Sequence, residues 1–244
     1  MFNAKVFLAE FIGTFALVFI GASAGIVQAG LVGIALAFGF TLAVFNYAYG
    51  HISGAHLNPA VTFGVALNGT VKWGQAIFYW IAQFAGAILA AFLLKTLLNA
   101  VDPTITLKAA ETVGALTVDK APVLAMAVEA ILTFFLVNTI LHAGVAGKAG
   151  AFAGWAIGTT LAVCMLAGLA FTGASLNPAR TLAFALFSGP SISNVYTYVI
   201  YFFGPLIGST FAVLVFNFLN KTDEAIEDLE DDDEDEIGEE VEAA

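Results

Sequence analysis

Ser53-Gly54-Ala55-His56-Leu57-Asn58-Pro59-Ala60 decides how this chain is read, because it returns as Thr172-Gly173-Ala174-Ser175-Leu176-Asn177-Pro178-Ala179. Six of the eight positions are identical, and Asn58 and Asn177 stand 119 residues apart. Upstream, Glu10 with Thr14-Phe15 matches Glu129 with Thr133-Phe134 at the same spacing of 119. Two separated motifs sharing one offset mark a duplicated unit. Asn is a favoured helix N-cap, and Pro is favoured at the first helical position. Each octet therefore predicts the start of a short helix, over about 59–68 and 178–188. Both are too short to cross a bilayer, which takes roughly 20 residues.

Six longer apolar segments surround them, near 5–26, 31–50, 73–97, 121–143, 150–171 and 194–219. The chain is 60% hydrophobic and 11% charged, with a mean hydropathy of +0.91. Soluble domains carry roughly 45–50% apolar and about 25% charged residues, so this composition belongs to a membrane protein. A half-length helix leaves backbone groups unpaired at its inner end. Bare lipid penalises each by several kcal/mol, so such ends must be buried in protein or face a watery cavity. Each unit holds three spans and one half-helix. Three is odd, so the second copy enters the membrane inverted. The expected fold is an all-α membrane protein: six transmembrane helices plus two re-entrant half-helices in an inverted 3+3 repeat. One domain over 1–221 contains the repeats, about 1–100 and 119–221, joined by a polar linker near 99–120. Inverted repeats place functional sites near the midplane.

Charge is segregated. Fourteen of the 19 acids follow residue 222. Residues 1–221 carry eight Lys and Arg against five acids, a formal charge of +3, so the net −11 belongs to the tail. The tail over 222–244, with Asp231-Asp232-Asp233-Glu234-Asp235-Glu236, is expected to be disordered. It reads as a solvated segment, with binding of a basic partner or of cations as the sharper alternative. Lys5, Lys72, Lys148 and Lys221 fall on one side of the membrane, against Lys95, Lys108 and Lys120 on the other. The positive-inside tendency then puts both termini in the cytoplasm of a cell-membrane protein. Cys164 is the only cysteine, which excludes an intrachain disulfide framework and a cysteine-rich metal site. The first apolar segment contains Glu10 and lacks a clear cleavage site, so it reads as a retained span rather than a secretory signal.

Two Asn-Pro-Ala boxes, two Glu boxes at the same offset, and Arg180 after the second box resemble the aquaporin (major intrinsic protein) family over about residues 4–220. The resemblance implies a passive channel for water, with one pore in each subunit of a homotetramer surrounded by lipid. Asn58 and Asn177, with Pro59, Ala60, Pro178 and Ala179, would cap two half-helices whose positive ends meet at mid-membrane. Each side-chain amide would be free to donate to a pore water. Such a water must turn its own hydrogens away, which breaks a proton wire, while the positive helix ends repel cations. The carbonyls of Gly54, Ala55 and His56, and of Gly173, Ala174 and Ser175, resemble the family's ladder of pore-facing acceptors. Their Gly and Ala content suggests an extended backbone facing water.

Arg180 is the only arginine, in a region otherwise without charge. In the family this position forms the constriction, and carrying the spacing over adds Phe38, Met165 and Ala174. Ordinary core packing is the bland reading of Phe38 and Met165. Strict water channels usually have His where this chain has Met165. Methionine gives an apolar wall without a strong donor, which admits glycerol, small polyols, ammonia or hydrogen sulfide as alternatives to water. Thr181, Ala185, Tyr201 and Phe202 resemble the water-channel subgroup instead. Ala174 stands where some members have a mercury-sensitive Cys, so block by mercurials at that place is not expected.

Glu10 and Glu129 are ionisable groups inside apolar spans, which is usually functional. They read either as proton-coupling carboxylates or as buried acceptors for the N–H groups of the neighbouring half-helix loop. Their matched placement favours the scaffold. His51 reads as a buried hydrogen-bonding partner rather than a pH switch. His142 is placed near a cytoplasmic membrane edge without a role. An ion-coupled secondary transporter and a sealed junction protein are the competing classes; the first lacks a coupling-ion site, and the second has no use for Arg180. No nucleotide loop, nucleophile constellation or metal-ligand cluster is present, so no enzyme, cofactor, metal or nucleic-acid partner is expected.

Overall fold

The computed structural model describes residues 2–102, 104, 107, 113–116 and 120–220. The acidic tail, Lys108, Glu111, Asp119 and Lys221 lie outside them.

Among the described residues the chain forms eight helices: α1 Ala4–Ile26, α2 Gly30–Ser53, α3 Pro59–Leu67, α4 Trp73–Val101, α5 Pro122–Val145, α6 Gly150–Thr172, α7 Pro178–Ala185 and α8 Val195–Leu219. All but α3 and α7 are long and apolar enough to cross a membrane. The ends follow local chemistry. Asn3 caps α1 by accepting from the N–H groups of Lys5 and Val6. Gly54 (φ +84) and Gly173 (φ +79) terminate α2 and α6 in the left-handed region that glycine tolerates. The last turn of α5, Ile140–Val145, and the second turn of α8, Val199–Phe203, widen into π-helix.

Three boundaries differ by three residues or more from those read off the sequence. α2 continues to Ser53 rather than stopping at 50, because its polar last turn is closed by the Gly54 cap. α4 reaches Val101 rather than 97, since its ladder continues through Lys95 and Asn99 to Asp102, whose N–H bonds Leu98. α7 stops at Ala185 rather than 188, as the N–H groups of Phe187 and Ser188 both turn back onto the carbonyl of Phe184.

The packing repeats with the sequence. α1 packs on α4 in the first copy, α5 on α8 in the second, and the equivalent helices α2 and α6 pack on each other. Gly39 and Gly158 sit where α2 crosses α6. A Cβ on Gly39 would lie 2.6 Å from the carbonyl oxygen of Gly158, and one on Gly158 would meet the carbonyl of Gly39. The local two-fold axis therefore passes between two glycines 119 residues apart. Gly86 faces the Phe11 carbonyl, and Gly208 faces the Ala130 carbonyl, in the same way. Absent side chains let membrane helices approach backbone to backbone. Gly86 and Gly208 are 122 residues apart, not 119, because the connection after α7 is longer than the one after α3.

The half-helices occupy the interior. Pro59, Ala60, Val61, Thr62, Gly64, Val65 and Ala66 of α3 are buried, as are Pro178, Ala179, Arg180, Thr181, Ala183 and Phe184 of α7. The outer faces carry exposed apolar side chains such as Val44, Phe135, Val163 and Phe211. Linker residues Ala115 and Leu116 donate their N–H groups to the carbonyls of Ala170 and Phe171, at 2.8 Å each, satisfying two end carbonyls of α6.

Candidate functional site

The site is built by two carboxylates acting on two loops. Glu10 of α1 accepts from Ser53 Oγ (2.7 Å), the N–H groups of His56 (2.9 Å) and Leu57 (2.8 Å), and Gln83 Nε2 (2.8 Å). Glu129 of α5 accepts from Thr172 Oγ1 (2.6 Å) and the N–H groups of Ser175 (2.9 Å) and Leu176 (2.7 Å). Both carboxylates are fully buried. Tyr79 and Tyr201 brace the same turns, donating from their hydroxyls to the carbonyls of Ser53 (2.8 Å) and Thr172 (2.9 Å).

These contacts hold a backbone that is kinked, not extended as its glycine and alanine content suggests. Ala55 (φ +47), Leu57 (+50), Ala174 (+42) and Leu176 (+53) are left-handed, as are Gly54 and Gly173. The left-handed conformation costs an L-residue roughly 1–2 kcal/mol. Each carboxylate pulls two successive N–H groups toward one point, and only this kinked backbone brings them there.

Beyond the kinks the loops become helix N-termini. Asn58 Oδ1 accepts from the N–H of Ala60 (2.9 Å); Asn177 Oδ1 accepts from Ala179 (3.0 Å) and Arg180 (3.2 Å). Pro59 and Pro178 take the first helical positions. The two amides also cross. Asn58 Nδ2 donates to the Leu176 carbonyl at 2.8 Å, and Asn177 Nδ2 donates to the Leu57 carbonyl at 2.9 Å. Each amide therefore commits one of its two hydrogens to the opposite repeat and keeps the other.

Asn58 and Asn177 line a cavity of about 20 Å³ together with His56, Ser175, Phe38, Met165 and Arg180. That is room for about one water. The far wall is aliphatic, from Leu17, Leu42, Val61, Leu136 and Leu161. Arg180 Cζ lies 4.3 Å from the Phe38 ring centroid. Its Nη1 donates to the Ala174 carbonyl (2.6 Å), and its Nη2 donates to the Gly173 carbonyl (3.3 Å). Arg180, Phe38 and Met165 are all buried. Two of the six carbonyls expected as pore acceptors thus each accept one bond from the guanidinium.

Profile comparison decides the lineage, matching the family described as Major intrinsic protein over residues 1–216. The chain belongs to the major intrinsic protein family. As a member it is a multi-pass membrane channel of the passive kind, not an enzyme. It is 38% identical over 223 residues to the Glycerol uptake facilitator protein-like 6 of Lactiplantibacillus plantarum, covering 90% of this chain and all of that one. It is 37% identical to the Probable aquaporin TIP2-2 of Oryza sativa subsp. japonica, over 89% of this chain and 88% of that one. The X-ray structure of the aquaglyceroporin from Plasmodium falciparum shares the fold, with a TM-score of 0.72 at 24% identity over 87% of this chain and 94% of that one.

At one end of this family member a mouth of about 610 Å³ opens, lined among others by Asn46, Tyr47, His51, His56, Thr70, Val71, Gly144 and Gly150. His51 corrects an expectation. It is exposed rather than buried, because it faces the open mouth at the end of α2. The buried histidine is His56, its Nδ1 3.1 Å from Thr62 Oγ1 and its ring 4.8 Å from that of Tyr79. His142 gains partners too: its Nδ1 is 3.0 Å from the Asn138 carbonyl, and its Nε2 is 3.4 Å from Asn220 Nδ2.

Several residues of the channel framework escape a reading of the sequence. Ser53 and Thr172 are hydroxyls at the repeat offset, as are Thr62 and Thr181, so the spacing of 119 carries a signal for both pairs. Tyr79 and Tyr201 match only at 122. Tyr201, which resembles the water-channel subgroup, also braces the loop through its hydroxyl. Gln83, Trp80, which donates to the Pro59 carbonyl (3.1 Å), and Ser209, which donates to the Ala60 carbonyl (2.8 Å), have no counterpart signal.

Proposed function

We propose that this channel conducts water and excludes protons and ions. The crossed Asn58–Asn177 pair carries the reading. After capping and crossing, each amide retains one hydrogen, and both residues line the one-water cavity. A water accepting both hydrogens uses its two lone pairs and must direct its own hydrogens along the pore. It then forms no continuous donor–acceptor wire. The N-termini of α3 and α7 add roughly half a positive charge each beside that water, which disfavours hydronium and metal cations. Carbonyls of Gly54, Ala55, His56 and Ser175 compensate entering waters for lost bulk hydrogen bonds.

Phe38, Met165, Ala174 and Arg180 form the selectivity filter in this reading. Two edges of the guanidinium are held by carbonyls and its face by Phe38, while Nε keeps a hydrogen with no protein acceptor. Water is the main permeant. Met165 supports a second reading, in which glycerol, other small polyols, ammonia or hydrogen sulfide also pass, because its thioether presents an apolar wall with no strong donor. The channel domain spans 1–221, the protein is a homotetramer in the cell membrane, and both termini face the cytoplasm.

Osmotic shock of reconstituted vesicles tests the reading. Shrinkage should exceed that of empty vesicles severalfold, with no ion gradient and a weak temperature dependence. Flux equal to empty vesicles refutes it. Glycerol as the osmolyte separates the two readings: re-swelling after shrinkage indicates a facilitator, and sustained shrinkage a water channel.

A further inference from the structure

Gly21 stands inside α1 with ordinary helical backbone, so its conformation does not ask for glycine. Alanine is the more stable residue in a helix interior. What asks for glycine is Phe38. A Cβ on Gly21 would lie 2.5 Å from both Cδ1 and Cζ of the Phe38 ring, and closer still to Cε1. Carbon atoms pack at about 3.5–4.0 Å, so no side chain fits between them. Near-equal distances to three consecutive ring atoms put that carbon over the face of the ring rather than beyond its rim.

The other face belongs to Arg180. With the α1 backbone covering one face, the guanidinium, whose Cζ is 4.3 Å from the ring centroid, lies over the opposite one. Its Nη1 and Nη2 are tied to the carbonyls of Ala174 and Gly173. The ring is thus clasped between a backbone and a tethered cation, and it lines the one-water cavity. Gly13, Leu17 and Gly21 are four residues apart and share a face of α1. Leu17 lines the same cavity, and Gly13 leaves its space to Leu57.

Ile140 and Ile157 occupy the equivalent places in the second copy, 119 residues on from Gly21 and Phe38. Both line the wide mouth. The repeat itself accepts a branched side chain where no ring is seated, so the glycine answers a need of the first copy alone. We propose that Gly21 is a positioning residue for the filter: it seats the Phe38 ring against α1 and thereby sets the width left beside Arg180. This rests on the reading of Phe38 and Arg180 as the filter. A methyl at Gly21 would lift the ring off α1, toward the guanidinium and the cavity, and narrow the passage.

G21A, F38A and G21A/F38A are compared with the parent in reconstituted vesicles, with flux normalised to the protein incorporated. G21A should lower water flux about tenfold, the scale on which a single carbon alters a fitted site, and steepen its temperature dependence. A mere loss of folded channels would lower flux without altering that dependence. In the F38A background the same substitution should leave flux unchanged, because the ring it would displace is gone. Melting temperatures in detergent should reverse in the same way: G21A lowers that of the parent and raises that of F38A, where alanine's helix preference acts unopposed. If G21A alone does not fold, folding of G21A/F38A with the flux of F38A supports the seat. G21A flux and temperature dependence equal to the parent's, or an equal loss of flux in both backgrounds, overturns the proposal. So does failure of G21A/F38A to fold where F38A folds. Parent flux no greater than that of empty vesicles refutes the channel reading instead, and the seat then stands or falls on the melting temperatures.

Discussion

Asn58 and Asn177 each hold the other's repeat: Asn58 donates to the Leu176 carbonyl at 2.8 Å, and Asn177 donates to the Leu57 carbonyl at 2.9 Å. The half-helices are therefore joined end to end through side-chain amides rather than merely placed opposite each other. Asn177→Asp keeps the cap acceptor and removes the donor, leaving a buried carbonyl unpaired. Such a loss costs about 1–3 kcal/mol. A lower unfolding temperature of the purified protein in detergent is the expected outcome; an unchanged one would show that the crossing does not support the fold.

Glu10 and Glu129 separate under the same substitution. Both oxygens of Glu10 accept two donors, whereas Glu129 Oε2 accepts only the N–H of Leu176. Glutamine must turn an NH2 toward existing donors, two in Glu10→Gln but one in Glu129→Gln. We expect Glu10→Gln to be the more destabilising, by about 1–3 kcal/mol. Thermal melts of the two variants check the order. A scaffold role also predicts that a pH gradient leaves vesicle water flux unchanged.

In the proposed filter Arg180 Cζ lies 4.3 Å from the Phe38 ring centroid. Phe38→Ala removes the wall and a contact worth about 0.5–2 kcal/mol. Glycerol uptake into vesicles should rise about tenfold, a change equivalent to about 1.4 kcal/mol in the barrier. Met165→His adds a donor and should lower glycerol flux relative to water. Unaltered glycerol-to-water ratios in both variants would remove these residues from the filter.

Gly86 and Gly208 admit the carbonyls of Phe11 and Ala130. Alanine at either position places a methyl against backbone, so a helix must move. Overpacking of this kind costs about 1–3 kcal/mol. Gly74, with open space around it, is the control, and Gly74→Ala should leave the melting temperature near that of the parent.

The repeat itself is legible because a duplicated motif leaves a numerical offset. Asn58 with Asn177 and Glu10 with Glu129 announce the inverted architecture, and span length comes from hydropathy. The family is legible from the same residues. Gln83 and Ser209 are silent, because each serves one copy only and has no partner at the offset. The burial of His51 and His56 is not legible: both precede the first Asn-Pro-Ala box, and only the packing of Tyr79 and Thr62 against His56 tells which is enclosed.

The sequence by itself determined the membrane class, the six spans, the two half-helices and their capping residues, since these depend on local composition and short-range preference. Tertiary structure alone decided what each amide and carbonyl does. The crossed Asn58–Asn177 bonds and the left-handed loops pulled onto Glu10 and Glu129 join residues far apart in the chain. Hydrogen-bond partners there are chosen by which groups burial leaves unsatisfied in three dimensions, and no local pattern records that choice.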